Sequence, residues 1–358
     1  MVDASRSPSR PITIFTPSGA EESDTNAQNL AVKEIVARLP EELFHVTMVC
    51  VRGPDPRIAR RKNTRLLGYY RLGNIFQLLG HCLFPPPDVY FYPRTQWLDR
   101  TFLTLRRIFG LHTAVVTHIV MEMNDTTANQ RMKRCVLQSD AVVGASDYVS
   151  QTVRQRFGVP TGTIYDGINR SFFFPPDPTA RVDPGRPLRV LYTGSFQARK
   201  RVEVVIQQAA RWKNVQFRLA GKGETEPGCR ALAAQLGCDN VTFVGHVAPA
   251  QVGEEMRQAD VFLFPSILEG HPQVLGQAAG CGLPAIAMNV YHPDYVLNGE
   301  SGFLVESDTE LAEKLDLLLR DSSLRHAMSA AAVRHSQKFD WDRIAQQWAE
   351  VFLKVVRR

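Results

Sequence analysis

No run of about 18 apolar residues occurs in this 358-residue chain, so no segment reads as a membrane-spanning helix. Met1 to Arg10 is polar, with proline and arginine, which is not the pattern of a secretory leader; a cytosolic protein is the expectation. Its six cysteines, at 50, 82, 135, 229, 238 and 281, form no Cys-Xaa-Xaa-Cys pair and no cluster with histidine. Cys50 falls within an apolar strand pattern, and reduced thiols with no zinc site are expected. No Asp-Xaa-Asp stands at a strand end, so nothing marks a carboxylate pair for a divalent ion, and metal residues are predicted as none. What is present is ordinary for a globular protein: 44% of residues are hydrophobic, and the length exceeds that at which one core usually keeps growing.

Short apolar runs alternate with helical patterns, which argues for parallel sheets covered by helices. A first series reads Ile12 to Phe15, Val46 to Val51, Val89 to Tyr92, Ala114 to Thr117, Ala141 to Gly144 and Gly162 to Tyr165. A proline-rich stretch from Phe172 to Pro187 then reads as a linker. A second series follows: Leu188 to Thr193, Val215 to Ala220, Val241 to Val244, Val261 to Phe264, Ala285 to Met288 and Phe303 to Val305. The last helix, roughly Trp341 to Val356, carries Ile344, Trp348, Val351, Phe352 and Val355 on one stripe.

After the strand Val261-Phe262-Leu263-Phe264 come Pro265-Ser266-Ile267-Leu268-Glu269-Gly270-His271-Pro272 and a helix rich in small residues that holds Gln277. A strand end, a tight turn and a helix start leave backbone N–H groups free at the positive end of the helix dipole, a place for a phosphate or sugar hydroxyls. Glu-Gly-His-Pro alone is also a turn that caps a helix in unrelated α/β proteins. With its flanking segments, this stretch resembles the donor-site signature of retaining glycosyltransferases of the GT-B fold, family 4 in particular. That family has Glu, seven residues and a second Glu; here the pair is Glu269 and Gln277. The resemblance implies an α/β protein of GT-B architecture, two Rossmann-like parallel-sheet domains facing across a cleft. Residues 1–170 would bind the acceptor, residues 171–340 the nucleotide sugar, and the helix at about 341–358 would pack back on the first domain.

Further segments fit that resemblance. Tyr192-Thr193-Gly194-Ser195 and Ala198-Arg199-Lys200-Arg201 form a strand end, a glycine turn and a cation cluster before a helix. Relatives place an arginine just after the glycine; here Ser195 stands there, so Arg199 and Lys200 would meet the departing diphosphate. Cations sit poorly at a helix start unless an anion joins them, although a solvated first turn is the plain alternative. Gly221 and Gly245, each at a strand end, and His246 would flank the nucleotide. Glu269, Gly270, His271 and Pro272 would hold the sugar, and Gln277 the ribose hydroxyls, without the charge assistance of a carboxylate. No cofactor is implied beyond the nucleotide diphosphate sugar as substrate.

On the first domain, Gly19 and Ala20 resemble the acceptor-side glycine loop, ahead of a helix from about Thr25. His118 stands where relatives carry a cleft histidine, with Glu122 and Asp125 as weaker candidates for acceptor contact. Glu269, His118 and Lys200 are the expected catalytic set. Residues 1–180 hold 21 Lys and Arg against 16 Asp and Glu, leaving 21 against 20 for the remainder. Much of the excess lies in Arg57 to Arg65, running into an amphipathic pattern up to Phe84. That pattern suits a peripheral contact with an anionic leaflet at the inner face of the membrane, and equally a solvated loop before a core-packing helix. A glycan or lipid-linked acceptor fits the first reading; nucleic acid fits neither, for want of a recognition module. The resemblance implies retention of configuration without a metal. A sugar-nucleotide epimerase of the same fold, or a weakly active relative that only binds nucleotide sugar, are the competing readings.

Overall fold

The computed structural model describes residues 10–22, 27–68, 79–81, 83–91, 97–120, 133–177 and 185–357. The chain divides into two compact units, one made of Met1–Asp166 with Trp341–Arg358, the other of Gly167–Asp340.

The first unit is built on β1 (Ile12–Gly19), β2 (Phe44–Val49), β3 (Thr64–Leu67), β4 (Val89–Phe91), β5 (Ala114–Ile119), β6 (Ala141–Gly144) and β7 (Thr161–Thr163). Their spatial order is β3-β2-β1-β4-β5-β6-β7, with every neighbouring pair parallel. All six residues of β5 are buried, as expected of a central strand covered on both faces. The helices include α1 (Ala27–Arg38), α2 (Trp97–Phe109) and α3 (Asp147–Phe157), together with the last helix of the chain, α10 (Trp341–Val356). That helix forms here because its apolar stripe has a partner: the Phe91 ring of β4 lies 5.0 Å from Trp348 and 4.9 Å from Phe352, centroid to centroid.

The second unit contains β8 (Arg189–Thr193), β9 (Gln216–Ala220), β10 (Val241–Gly245), β11 (Val261–Phe264), β12 (Ala285–Met288) and β13 (Gly302–Val305). The order is β10-β9-β8-β11-β12-β13, again all parallel. Between and after the strands run α4 (Val202–Arg211), α5 (Glu226–Gln235), α6 (Pro249–Gln258), α7 (Gln273–Gly280), α8 (Asp308–Arg320) and α9 (Ser322–Ser336). Successive strands step outward from β8 to β10, and the chain then returns to β8's other side with β11. Neighbouring loops therefore diverge at the carboxyl ends of β8 and β11, which opens a crevice at this switch point.

Three readings of the sequence change. Leu66 and Leu67 do not begin a helix; they end β3, an edge strand too short and too charged at its start to stand out as an apolar run. Residues 69–78 of the amphipathic pattern lie outside the described residues. Of the basic stretch before it, two cations are tied to their own unit and three stay exposed: Arg57 pairs with Asp55 and Glu34, and Arg61 donates to the carbonyls of Ala37 and Leu39 at the end of α1, while Arg60, Lys62 and Arg65 face solvent. Phe172 and Phe173 are not linker either, since Phe173 is buried and the Phe172 carbonyl approaches Gly253 of α6. Cys50 lies one residue beyond β2.

Candidate functional site

The crevice of the second unit is lined by two loops that are joined by hydrogen bonds. After β8 the chain passes Gly194 and Ser195, makes a short 3-10 turn at Ala198–Lys200, and enters α4 through Arg201, a non-glycine residue at φ 53°. After β11 it runs from Pro265 to Pro272, which caps α7. The Ile267 N–H donates to the Arg199 carbonyl at 3.0 Å, with the Ser266 hydroxyl oxygen 3.3 Å from the same carbonyl, so the two loops hold a fixed spacing.

Glu269 lies at the centre of this junction, 9% exposed. Its Oε1 accepts from the Ser266 hydroxyl at 2.5 Å, from Arg199 Nη1 at 3.0 Å, and from Lys200 Nζ. No described residue donates to its Oε2, which leaves one carboxylate oxygen for a ligand. Arg199 Nη1 also donates to the Leu268 carbonyl at 2.7 Å and Nε to the Gln197 side chain at 3.1 Å, fixing the guanidinium plane. Lys200 is buried, with Nζ 5.0 Å from the Phe264 ring centroid. Burial holds its ammonium below the usual lysine range, an effect that Glu269 opposes. Burial, then the Glu269 charge, raises the phenols of Tyr192 and Tyr291 above the ordinary tyrosine value.

Glycine is required where these loops meet their neighbours. Gly194 and Gly221 follow β8 and β9 directly and Gly245 ends β10, with φ of 153°, 143° and 80°. A Cβ on Gly221 would stand 1.8 Å from the Gly194 carbonyl oxygen, so no other residue fits without moving backbone.

Of the residues read from the sequence, the structure thus brings Arg199, Lys200 and Glu269 into one cluster, with Gly194 and Ser195 on the same loop and Gly221 and Gly245 at the adjoining strand ends. Gly270 and Pro272 are buried in the turn. His271 stacks on Tyr295 with centroids 4.1 Å apart, and Gly276 makes the room, since a Cβ there would lie 2.5 Å from the Tyr295 ring. Gln277 is half-buried on α7. His246 is exposed beyond β10, and among the described residues no hydrogen bond or ion pair joins it to the cluster.

The first-unit residues fare differently. Ala20 is fully buried among core residues, its N–H bound to the Val49 carbonyl and its carbonyl to the Asp55 N–H, so it presents nothing to an acceptor. The Gly19 N–H is likewise engaged, with the Asn29 side chain. His118 is 1% exposed with its ring 5.1 Å from Trp348, and burial pushes its imidazole down to about 3. It stays neutral at physiological pH and is unsuited to proton transfer. Glu122 and Asp125 lie outside the described residues.

Two contributors went unassigned by sequence reasoning. Ser266 was visible as the serine three residues before Glu269, but only the folded turn shows its hydroxyl on Oε1. Tyr291, three residues past β12, is buried with a hydroxyl that finds no partner among the described residues. Nothing in the local sequence marks it, because its burial depends on the strand-end loops around it. No group of three or more His, Cys, Asp or Glu among the described residues is arranged to hold a metal ion.

Residues 177–335 match the model of the family described as glycosyl transferases group 1. A D-inositol 3-phosphate glycosyltransferase of Streptomyces bingchenggensis is 26% identical over 294 residues, 73% of this chain and 64% of that protein. The chain therefore spans less than two thirds of this relative's length. Sucrose-phosphate synthase from Thermosynechococcus elongatus superposes with a TM-score of 0.77 at 20% identity, over 96% of this chain and 98% of that one. The HepE protein of Anabaena, solved with UDP and glucose, superposes with a TM-score of 0.74 at 17% identity, over 95% and 99%. Two parallel α/β sheets with these neighbours are the GT-B fold. The match spans nearly the whole of the second unit, which is thereby similar to the glycosyl transferases group 1.

Proposed function

We propose that the chain is a retaining glycosyltransferase that moves a hexose-type sugar from a nucleotide diphosphate sugar to an acceptor hydroxyl, without a metal ion. One observation carries this reading: two cations and one carboxylate converge at the switch point of a parallel sheet, with one carboxylate oxygen left over. Arg199 and Lys200 would receive the diphosphate, whose oxygens compete with Glu269 for the same donors. The freed carboxylate, through Oε2 and then Oε1, would accept from hydroxyls of the donor sugar and orient C1. Gln277 would accept from the ribose hydroxyls. The uncharged Ser195 leaves Arg199 and Lys200 as the groups that meet the leaving charge, so both act on the transition state rather than only on binding.

In the proposed course the bond from C1 to the phosphate oxygen breaks, and the acceptor oxygen bonds C1 on the same face. The acceptor's proton passes to the departing phosphate oxygen, so no protein base is needed and the neutral, buried His118 fits a positioning role at most. UDP-glucose, the ligand class in HepE, is the first donor to test, and a phosphorylated polyol or a lipid-linked glycan the first acceptor class.

The test is a thermal-shift screen against UDP-, GDP-, ADP- and dTDP-sugars with excess chelator, where ligand at about 100 times its Kd stabilises by about 2.7 kcal/mol. The positive donor is then incubated with acceptors while nucleoside diphosphate release and the anomeric configuration of product are followed. A shift with acceptor-dependent release and retained configuration supports the reading. Interconversion of sugars without acceptor would point to an epimerase, and a shift without any release to a binding protein.

A further inference from the structure

The four most exposed of the chain's exposed large hydrophobic side chains in the described residues all belong to the first unit: Phe84 (76%), Ile108 (67%), Phe109 (61%) and Leu137 (54%). They are far apart in sequence, yet the topology gathers them. Phe84 precedes β4, Ile108 and Phe109 precede β5, and Leu137 precedes β6, and these three strands are parallel neighbours in that order. Each residue thus lies where its strand enters the sheet, on the edge opposite to the loops that follow β1 and β5. Hydrogen bonds tie the three entrances together: the Ala114 N–H donates to the Asp88 carbonyl at 2.8 Å, the Asp140 N–H to the Val115 carbonyl at 2.8 Å, and Arg106 to the Gln138 carbonyl at 3.3 Å.

Cations surround this apolar edge. Arg107 adjoins Ile108, and Lys133 and Arg134 stand one helical turn ahead of Leu137; all three are exposed. The acids at the same edge are already paired, Asp88 with Arg10 and Asp140 with Arg106. Among the described residues none of Arg107, Lys133 and Arg134 has an ion-pair partner, Lys133 lying 5.7 Å from the Phe157 ring centroid; exposed aromatic and branched aliphatic side chains with such a cationic rim match the interface of an anionic bilayer, where the rings enter the headgroup boundary and the cations meet phosphates.

We propose that this strand-entry edge of the first unit docks the protein onto an anionic membrane surface. A second copy of the chain is a poorer occupant. An isologous contact would set Arg107, Lys133 and Arg134 against their own counterparts, and four apolar side chains fall short of the roughly 20–30 residues a side that stable dimers bury. The docking edge lies a strand's length from the opposite edge of the sheet, so it anchors the molecule without covering the loop after β1. The proposal does not depend on the glycosyl-transfer reading, and its failure leaves that reading untouched.

The test is co-sedimentation of the full chain with vesicles of phosphatidylcholine alone and of phosphatidylcholine with about one third phosphatidylglycerol. Binding is expected to the anionic vesicles only. Arg107→Gln with Arg134→Gln should weaken it on the order of 25-fold, at about fivefold per cation removed. Ile108→Ser with Phe109→Ser should weaken it about tenfold or more, through lost interfacial burial. Because all four positions are exposed, the melting temperature and donor-induced thermal shift should stay at their original values. Equal binding to both vesicle types, no binding to either, or anionic binding that both variants retain would overturn the proposal. So would a concentration-dependent dimer, or a stable complex with a protein, that Phe109→Ser abolishes.

Discussion

Replacing Glu269 by glutamine keeps the shape and one carbonyl oxygen of the side chain but removes the carboxylate charge that opposes a buried ammonium. Lys200 is 8% exposed and has Glu269 as its ion-pair partner. Breaking a buried pair from one side costs about 3–5 kcal/mol, because the remaining charge stays desolvated. The retained amide oxygen can still accept from Ser266 and Lys200, which brings the expected loss to about 2–4 kcal/mol. For a unit of this size each kcal/mol lowers the melting temperature by about 2–4 °C, so Glu269→Gln should lower it by about 4–16 °C. Adding Lys200→Met removes the stranded charge and should restore more than half of the loss, an interaction that a double-mutant cycle isolates. Activity should not follow stability: Lys200→Ala and the double variant are both expected to lose about 10²–10³ in turnover. pH provides a second sign. Lys200's folded value lies below its ordinary 10.5, so between the two the unfolded chain binds more protons and stability rises with pH. Glu269→Gln should steepen that alkaline rise, and Lys200→Met should flatten it. Differential scanning calorimetry across pH with parallel turnover assays reads all of these quantities. If Glu269→Gln melts and turns over like the original protein, the cluster is neither a buried pair nor a catalytic one.

Other perturbations separate packing from chemistry. Gly221→Ala sets a Cβ against the Gly194 carbonyl at an unrelaxed 1.8 Å and should abolish the donor-induced thermal shift while leaving the first unit's core intact, checked by far-UV circular dichroism. Arg201 holds a φ of 53° and pairs on the surface with Asp308; in an Asp308→Ala background, Arg201→Gly should raise stability by about 1 kcal/mol, measured by urea unfolding. His118, depressed to about 3, stays neutral in the fold while its unfolded form titrates near 6.5. Its contribution is therefore complete above 6.5 and declines as pH falls toward 3, so His118→Gln should flatten that part of the stability profile and leave the pH dependence of turnover between about 6 and 8 unchanged.

How far the site could be read from the chain depends on how local each contact is. β11 and β12, Val-Phe-Leu-Phe and Ala-Ile-Ala-Met, are buried at every position and stand out because a strand covered on both faces needs an unbroken apolar run. β3 lacked that signal: at the sheet's edge it needs no more than Thr-Arg-Leu-Leu, and a charged residue costs little there. The cations at Arg199 and Lys200 and the carboxylate at Glu269 were conspicuous as charges next to strand ends, but their mutual distance was not, since it depends on β8 and β11 being neighbours despite 67 intervening residues. The same logic explains the unexpected burial on the first unit. His118 and Ala20 sit at strand ends, where sequence suggests exposure, and α10 returns from the far end of the chain to place Trp348 against the His118 ring. Tyr291 is the limiting case, for its buried hydroxyl acquires meaning only from a carboxylate on another loop. A strand end therefore predicts a site when its charges face each other across the switch point, and predicts core when a distant helix closes over it. The double-mutant cycle at Glu269 and Lys200 decides whether this junction belongs to the first case.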